Sequence, residues 1–120
     1  MYNIKLGDNG NRLDVSYKDH FDLRQGEQFY KELQETAPKL KKGFMVLADM
    51  SSLERMDLSA KLYVEKAMDL LNKKGVSKVV RIIPDDTKDI GFKILSIFHY
   101  SSKVVIHTYK SYQEAEEHLK

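Results

Sequence analysis

The sequence predicts an α/β domain built on a mixed sheet of five strands with four helices, in the order ββαβαβαβα. Three observations carry that prediction. Two stretches of apolar–polar alternation near the N-terminus flank a run of turn-forming residues. Short, nearly continuous apolar runs follow at intervals, as expected of strands buried on both faces. Between them lie longer stretches whose apolar residues recur at helical spacing. Strands that alternate with helices need crossover connections, so the last three strands are expected to be parallel, with right-handed crossovers.

Each element has its own signal. Tyr2, Ile4 and Leu6 alternate with polar residues, as do Leu13, Val15 and Tyr17, and Gly7-Asp8-Asn9-Gly10 joins them as a hairpin. From about Gln25 to Leu40, Phe29, Leu33, Ala37 and Leu40 fall at helical spacing, with Pro38 ending or bending that helix. Phe44-Met45-Val46-Leu47-Ala48 reads as a central strand that runs into a polar loop from Asp49. A second helix covers roughly Leu58 to Lys74 and stops at Gly75, a suitable C-terminal cap. Lys78 to Ile83 is the next strand, closed by Pro84. Asp86 can cap a third helix that runs to about Phe98. Lys103 to Tyr109 gives the last strand, and Ser111-Tyr112-Gln113-Glu114 is a capping box for a terminal helix to Leu119.

Composition narrows the function classes. The chain has 120 residues, of which 42% are hydrophobic and 32% charged, and this suits one globular domain over residues 1–120. No run approaches the roughly 20 apolar residues of a membrane span. Met1-Tyr2-Asn3-Ile4-Lys5 lacks the basic-then-apolar layout of a signal peptide. Absence of cysteine excludes disulfides and thiolate chemistry, and a cytoplasmic location is the expectation. A formal net charge of +2 is too small to imply nucleic acid. The lysines at 39, 41 and 42, and at 73 and 74, fall where helices end, where cations suit the helix dipole.

The element order, together with the run Met56-Asp57-Leu58-Ser59-Ala60-Lys61-Leu62, resembles the anti-sigma-factor antagonist family of STAS, or SpoIIAA-like, domains. In that family a hydrophobic strand and an aspartate-containing loop precede Met-Asp-Ser-Ser-Gly-Leu at the start of a helix. Asp57 and Ser59 match the pattern, and Ser59 falls on the serine that a cognate kinase phosphorylates in the family's regulated members. Leu58 replaces the first serine and Ala60 the glycine, which marks a divergent branch. The resemblance implies a non-enzymatic regulatory module with a protein partner. Some SpoIIAA-like branches are also close in structure to lipid-transfer (CRAL-TRIO) domains, which implies as an alternative a carrier of an apolar or lipid-like ligand.

The residues themselves support a contact surface. On a helical wheel Ala60, Val64, Ala67, Met68 and Leu71 share one face and form the core stripe. Leu58 and Leu62 point nearly the opposite way, beside Lys66, with Ser59 at their flank. Two outward leucines one turn apart make a candidate partner-binding patch, set against the common occurrence of single exposed apolar residues. Asp57 is expected as the N-cap, its carboxylate accepting a backbone N–H from Ser59 or Ala60. In the expected third helix Ile90, Ile94, Ile97 and Phe98 form the core face, while Phe92 falls off it as a second candidate contact.

Enzyme signals are poor. His20, His99, His107 and His118 lack the close spacing of metal ligands. No glycine-rich phosphate loop occurs, and no second partner completes a carboxylate site from Asp85, Asp86 and Asp89. No catalytic residue, metal or cofactor is expected. The expectation is a protein-binding module with Ser59 as a charge switch, against a carrier whose pocket is lined by residues such as Ile94, Leu95 and Phe98. A homodimer through the same leucines, or through an exposed edge strand, competes for the first surface.

Overall fold

A computed structural model describes residues 1–83 and 104–119, apart from the side chains of Asp8 and His118. Its elements are β1 (Tyr2–Gly7), β2 (Arg12–Phe21), α1 (Leu23–Thr36), β3 (Met45–Met56), α2 (Lys61–Lys74), β4 (Lys78–Ile82), β5 (Val105–Tyr109) and α3 (Tyr112–Glu116). Three α-helices therefore lie among the described residues. The expected helix from Asp86 to Phe98, with Phe92, Ile94 and Leu95, lies outside them.

The five strands form one sheet in the order β1-β2-β3-β4-β5. β1 and β2 are antiparallel, and β2 through β5 are mutually parallel. The crossovers from β2 to β3 and from β3 to β4 step the same way along the sheet. Crossovers of one hand then place α1 and α2 on one face. They pack there on Leu13, Val15, Tyr17, Val46, Met50 and Val79, which form the main core with Phe29, Leu33, Val64 and Leu71. Tyr2, Tyr17, Phe21 and Phe29 meet edge-on or tilted, with ring centroids 5.2–6.3 Å apart. On the opposite face Leu47, Val80 and Ile82 pack with Ala115 of α3.

Helix ends follow local chemistry. Asp22 caps α1, its carboxylate accepting from the Gln25 N–H at 2.9 Å. α1 thus begins two residues earlier than the Gln25 start, and a 3-10 turn over Ala37–Lys39, holding Pro38, follows it. α2 ends at Gly75, whose φ of 95° lies in the left-handed region. Its N–H reaches the Asn72 carbonyl and the Val76 N–H reaches that of Leu71, which satisfies two end carbonyls. Ser111 caps α3, and the Glu114 carboxylate accepts from the Lys110 N–H, one residue before the cap.

α2 begins at Lys61 after a 3-10 turn over Leu58–Ala60, and the last helix gives way to a 3-10 turn at Glu117. The largest departure from expectation is in β3, and it builds the site. The segment after Ala48 is strand, not polar loop: β3 continues to Met56 and pairs with a β2 that runs on past Tyr17 to Phe21. Register shifts fall between Ser16 and Lys18 and between Asp19 and His20, where β3 carries the extra residues. Such bulges break the alternation by which a strand is recognised. Ser51 and Ser52 are both exposed, yet Met50 and Leu53 are almost completely buried on either side.

Candidate functional site

The extended β2–β3 pair delivers the chain to the start of α2. His20 and Arg55 are register partners on the two strands, and the Asp57 N–H continues the ladder to the Phe21 carbonyl at 2.9 Å. Asp57 occupies the N-cap position of a 3-10 turn, Leu58–Ala60, that leads into α2. Its carboxylate does not cap that turn. The Ala60 N–H bonds the main-chain oxygen of Asp57 instead, at 3.0 Å. The Asp57 side chain is used elsewhere: its Oδ1 lies 2.6 Å from His20 Nε2 and 3.2 and 3.3 Å from the Arg55 Nη2 and Nε. A carboxylate can only accept, so Nε2 is the protonated ring nitrogen in this bond. The His20 hydrogen bond first, and then those from Arg55, hold the Asp57 carboxyl below its usual range.

Beyond Asp57 the chain turns two leucines outward. Leu58 is 82% exposed and Leu62 is 52% exposed, with Ser59 exposed beside them. Ala60 is fully buried and fixes the turn from within. It faces Gly26 of α1, where an added Cβ would lie 3.5 Å from Ala60 and 3.4 Å from Tyr63. Those are ordinary van der Waals distances, so the N-terminal ends of α1 and α2 are packed against each other at Gly26. Lys66 lies one turn beyond Leu62, its Nζ 5.3 Å from the centre of the Tyr63 ring and 5.9 Å from that of Tyr30. These two rings come from α2 and α1, with centroids 6.3 Å apart.

The corner gathers Leu58, Ser59, Leu62 and Lys66 from the sequence-based reading, all on the outer side of α2 and its lead-in turn. It also gathers residues that reading missed. Leu23 is 41% exposed at the first position of α1, whose N-terminal end packs against the Leu58–Ala60 turn. It escaped notice because the helix was expected to begin at Gln25. His20 escaped because its partner is 37 residues away. Large exposed apolar residues among those described are Met1, Leu23, Leu58, Leu62, Val105 and Tyr112. Leu58 and Leu62 lie one turn apart, and Leu23 opens the helix that packs on the turn carrying Leu58.

Other chemistry is sparse. Among the described residues no group of three or more His, Asp or Glu side chains is placed to hold a metal ion. None of their helices is long and apolar enough to cross a membrane. A cavity of about 30 Å³ lies under α2, lined by residues including Val15, Tyr17, Ala48, Met68 and Arg81. That is room for about one water. Arg81 is buried at its edge, its guanidinium donating to Thr108 Oγ1 at 2.9 Å. Phe92 and the expected pocket residues Ile94, Leu95 and Phe98 fall outside the described residues.

No family model and no curated protein matches the chain. Solved structures do match. A DUF3478-family protein with a SpoIIAA-like fold from Shewanella loihica aligns with a TM-score of 0.74 at 14% identity, over 99% of this chain and 93% of that one. The Bacillus cell-fate determinant SpoIIAA in its phosphorylated form aligns with a TM-score of 0.69 at 13% identity, over the full length of both chains. An anti-sigma factor antagonist from Mycobacterium paratuberculosis aligns at 0.61 and 13% identity, over 98% of this chain and 93% of that one. The chain has the SpoIIAA-like, or STAS, fold.

Proposed function

We propose that this chain is a non-enzymatic regulatory module that binds a partner protein through the corner formed by Leu58, Leu62, Lys66 and Leu23, with phosphorylation of Ser59 as its switch. Exposure carries the reading: Leu58 and Leu62 stand 82% and 52% open beside an exposed serine. Apolar groups held open at a rigid helix start are what a partner can bury. A phosphate there adds about −1.5 to −2 charge in the middle of the patch and disfavours an apolar contact. Neighbouring structures support the analogy, since one is an anti-sigma factor antagonist and another a SpoIIAA captured phosphorylated. A cytoplasmic setting fits a chain without cysteine. The alternative, a carrier of an apolar or lipid-like ligand, would use a pocket lined by Ile94, Leu95 and Phe98, which fall outside the described residues.

The test is a quantitative capture from host lysate with wild type and a Leu58→Asp/Leu62→Asp double variant as baits. Both substitutions fall on exposed side chains, so circular dichroism should report an unchanged fold. A protein retained by the wild type and depleted at least tenfold on the double variant supports the corner as the docking surface. Equal retention on both baits removes the corner from the account.

A further inference from the structure

Asp57 Oδ1 accepts His20 Nε2 and both Arg55 nitrogens at a single oxygen atom. The two donor side chains therefore converge on one point, from the end of β2 and the end of β3. Ser59 lies two residues beyond that point, and two Cα steps span at most about 7.6 Å. Arg55 is loosely held: its side chain is 71% exposed and its contacts of 3.2 and 3.3 Å are longer than the best charge-assisted bonds. His20, 46% exposed, is likewise open to solvent on one side.

We propose that a phosphate on Ser59 draws Arg55 and His20 away from Asp57, so that the modified serine is clamped between the ends of β2 and β3. This inference rests on the reading that Ser59 is phosphorylated. The modification is phosphoryl transfer from a nucleoside triphosphate. The bond from Ser59 Oγ to the γ-phosphorus forms, the nucleoside diphosphate departs with its bonding electrons, and the hydroxyl proton passes to solvent. The product offers about twice the charge of a carboxylate and three acceptor oxygens. A guanidinium fork meets two of those oxygens at once, a geometry the single shared Oδ1 does not give it. Without the exchange, the phosphate would face the Asp57 carboxylate uncompensated. With it, two donors that bridge β2 to the lead-in of α2 are reassigned, and the mounting of the corner changes along with its charge. The other charged groups near in sequence or on the packed start of α1 are Glu54 on β3, Lys61 on α2, Asp19 and Asp22 beside His20, and Arg24 and Glu27 on α1. Four are acidic and two basic, so Arg55 and His20 are the donors whose removal the test must read.

The test needs no partner. Phosphoserine is placed at position 59 of the full chain during translation, and its phosphorus resonance is followed through a pH titration. The clamp predicts a second phosphate pKa about half a unit or more below the ordinary value of about 6. Arg55→Gln and His20→Gln should each return it towards that value. A titration at about 6 that neither substitution moves overturns the clamp. A lowered value that neither substitution moves assigns the effect to the start of the helix and overturns it equally. Because the modification is installed rather than awaited, failure here leaves the docking surface standing, and failure of the capture leaves the clamp standing.

Discussion

At the scale of residues, Asp57 fixes the site. Its carboxylate ties His20 on β2 to Arg55 on β3 at the point where the chain leaves the sheet for α2. Its hydrogen bonds favour the charged form and lower its pKa in the folded protein. A group whose folded pKa is depressed contributes stability above its unfolded pKa, about 3.9 for aspartate, and loses it as pH falls through the folded value. Asp57→Asn should therefore lower the denaturation midpoint near neutral pH. The gap to the wild type should close as both proteins are titrated below about pH 4, because the wild-type carboxyl then protonates. Chemical denaturation of the two proteins across that range checks this, and a gap that persists at the acid end contradicts the assignment. The N-cap position of Asp57 was legible from its place before Leu58-Ser59-Ala60. The use of its side chain was not, because His20 enters from a strand 37 residues away.

At the scale of elements, α2 was legible and β3 only in part. The stripe Ala60, Val64, Ala67, Met68 and Leu71 keeps the helical period, and all five side chains are buried. In β3 the extra residues opposite β2 displace the alternation, so Met50-Ser51-Ser52-Leu53 carries no strand period although Met50 and Leu53 are both core. Leu53 distinguishes the two descriptions. In a polar loop its truncation would matter little, within about 0.5 kcal/mol. In the bulged strand, at 2% exposure, Leu53→Ala should destabilise by about 2–4 kcal/mol in equilibrium denaturation. At the end of α2, Gly75→Ala forces a Cβ into a left-handed conformation and should destabilise by about 1–2 kcal/mol by the same measurement. Losses near zero for both variants would contradict the described ends of these elements.

At the scale of the whole molecule, the sheet separates two environments. One face buries α1 and α2 on the main core, and the other carries α3 over Leu47, Val80 and Ile82. The parallel run of the last three strands followed from alternating elements with crossover connections, whereas the sequential strand order and the parallel pairing of β2 with β3 were not legible. The proposed docking corner belongs to the face of α1 and α2, where the start of α1, with Leu23, packs on the Leu58–Ala60 turn. Leu23 was invisible to a reading that followed one helix at a time, because the corner is a property of two packed helices. The central claim is that this corner docks a protein and that a phosphate on Ser59 closes it. The most direct measurement is a calorimetric titration of the captured partner, once purified, into the chain bearing serine or phosphoserine at 59. The account predicts tight binding to the serine form and at least tenfold weaker binding to the phosphoserine form, a difference of about 1.4 kcal/mol or more. Equal affinity for the two forms would contradict it.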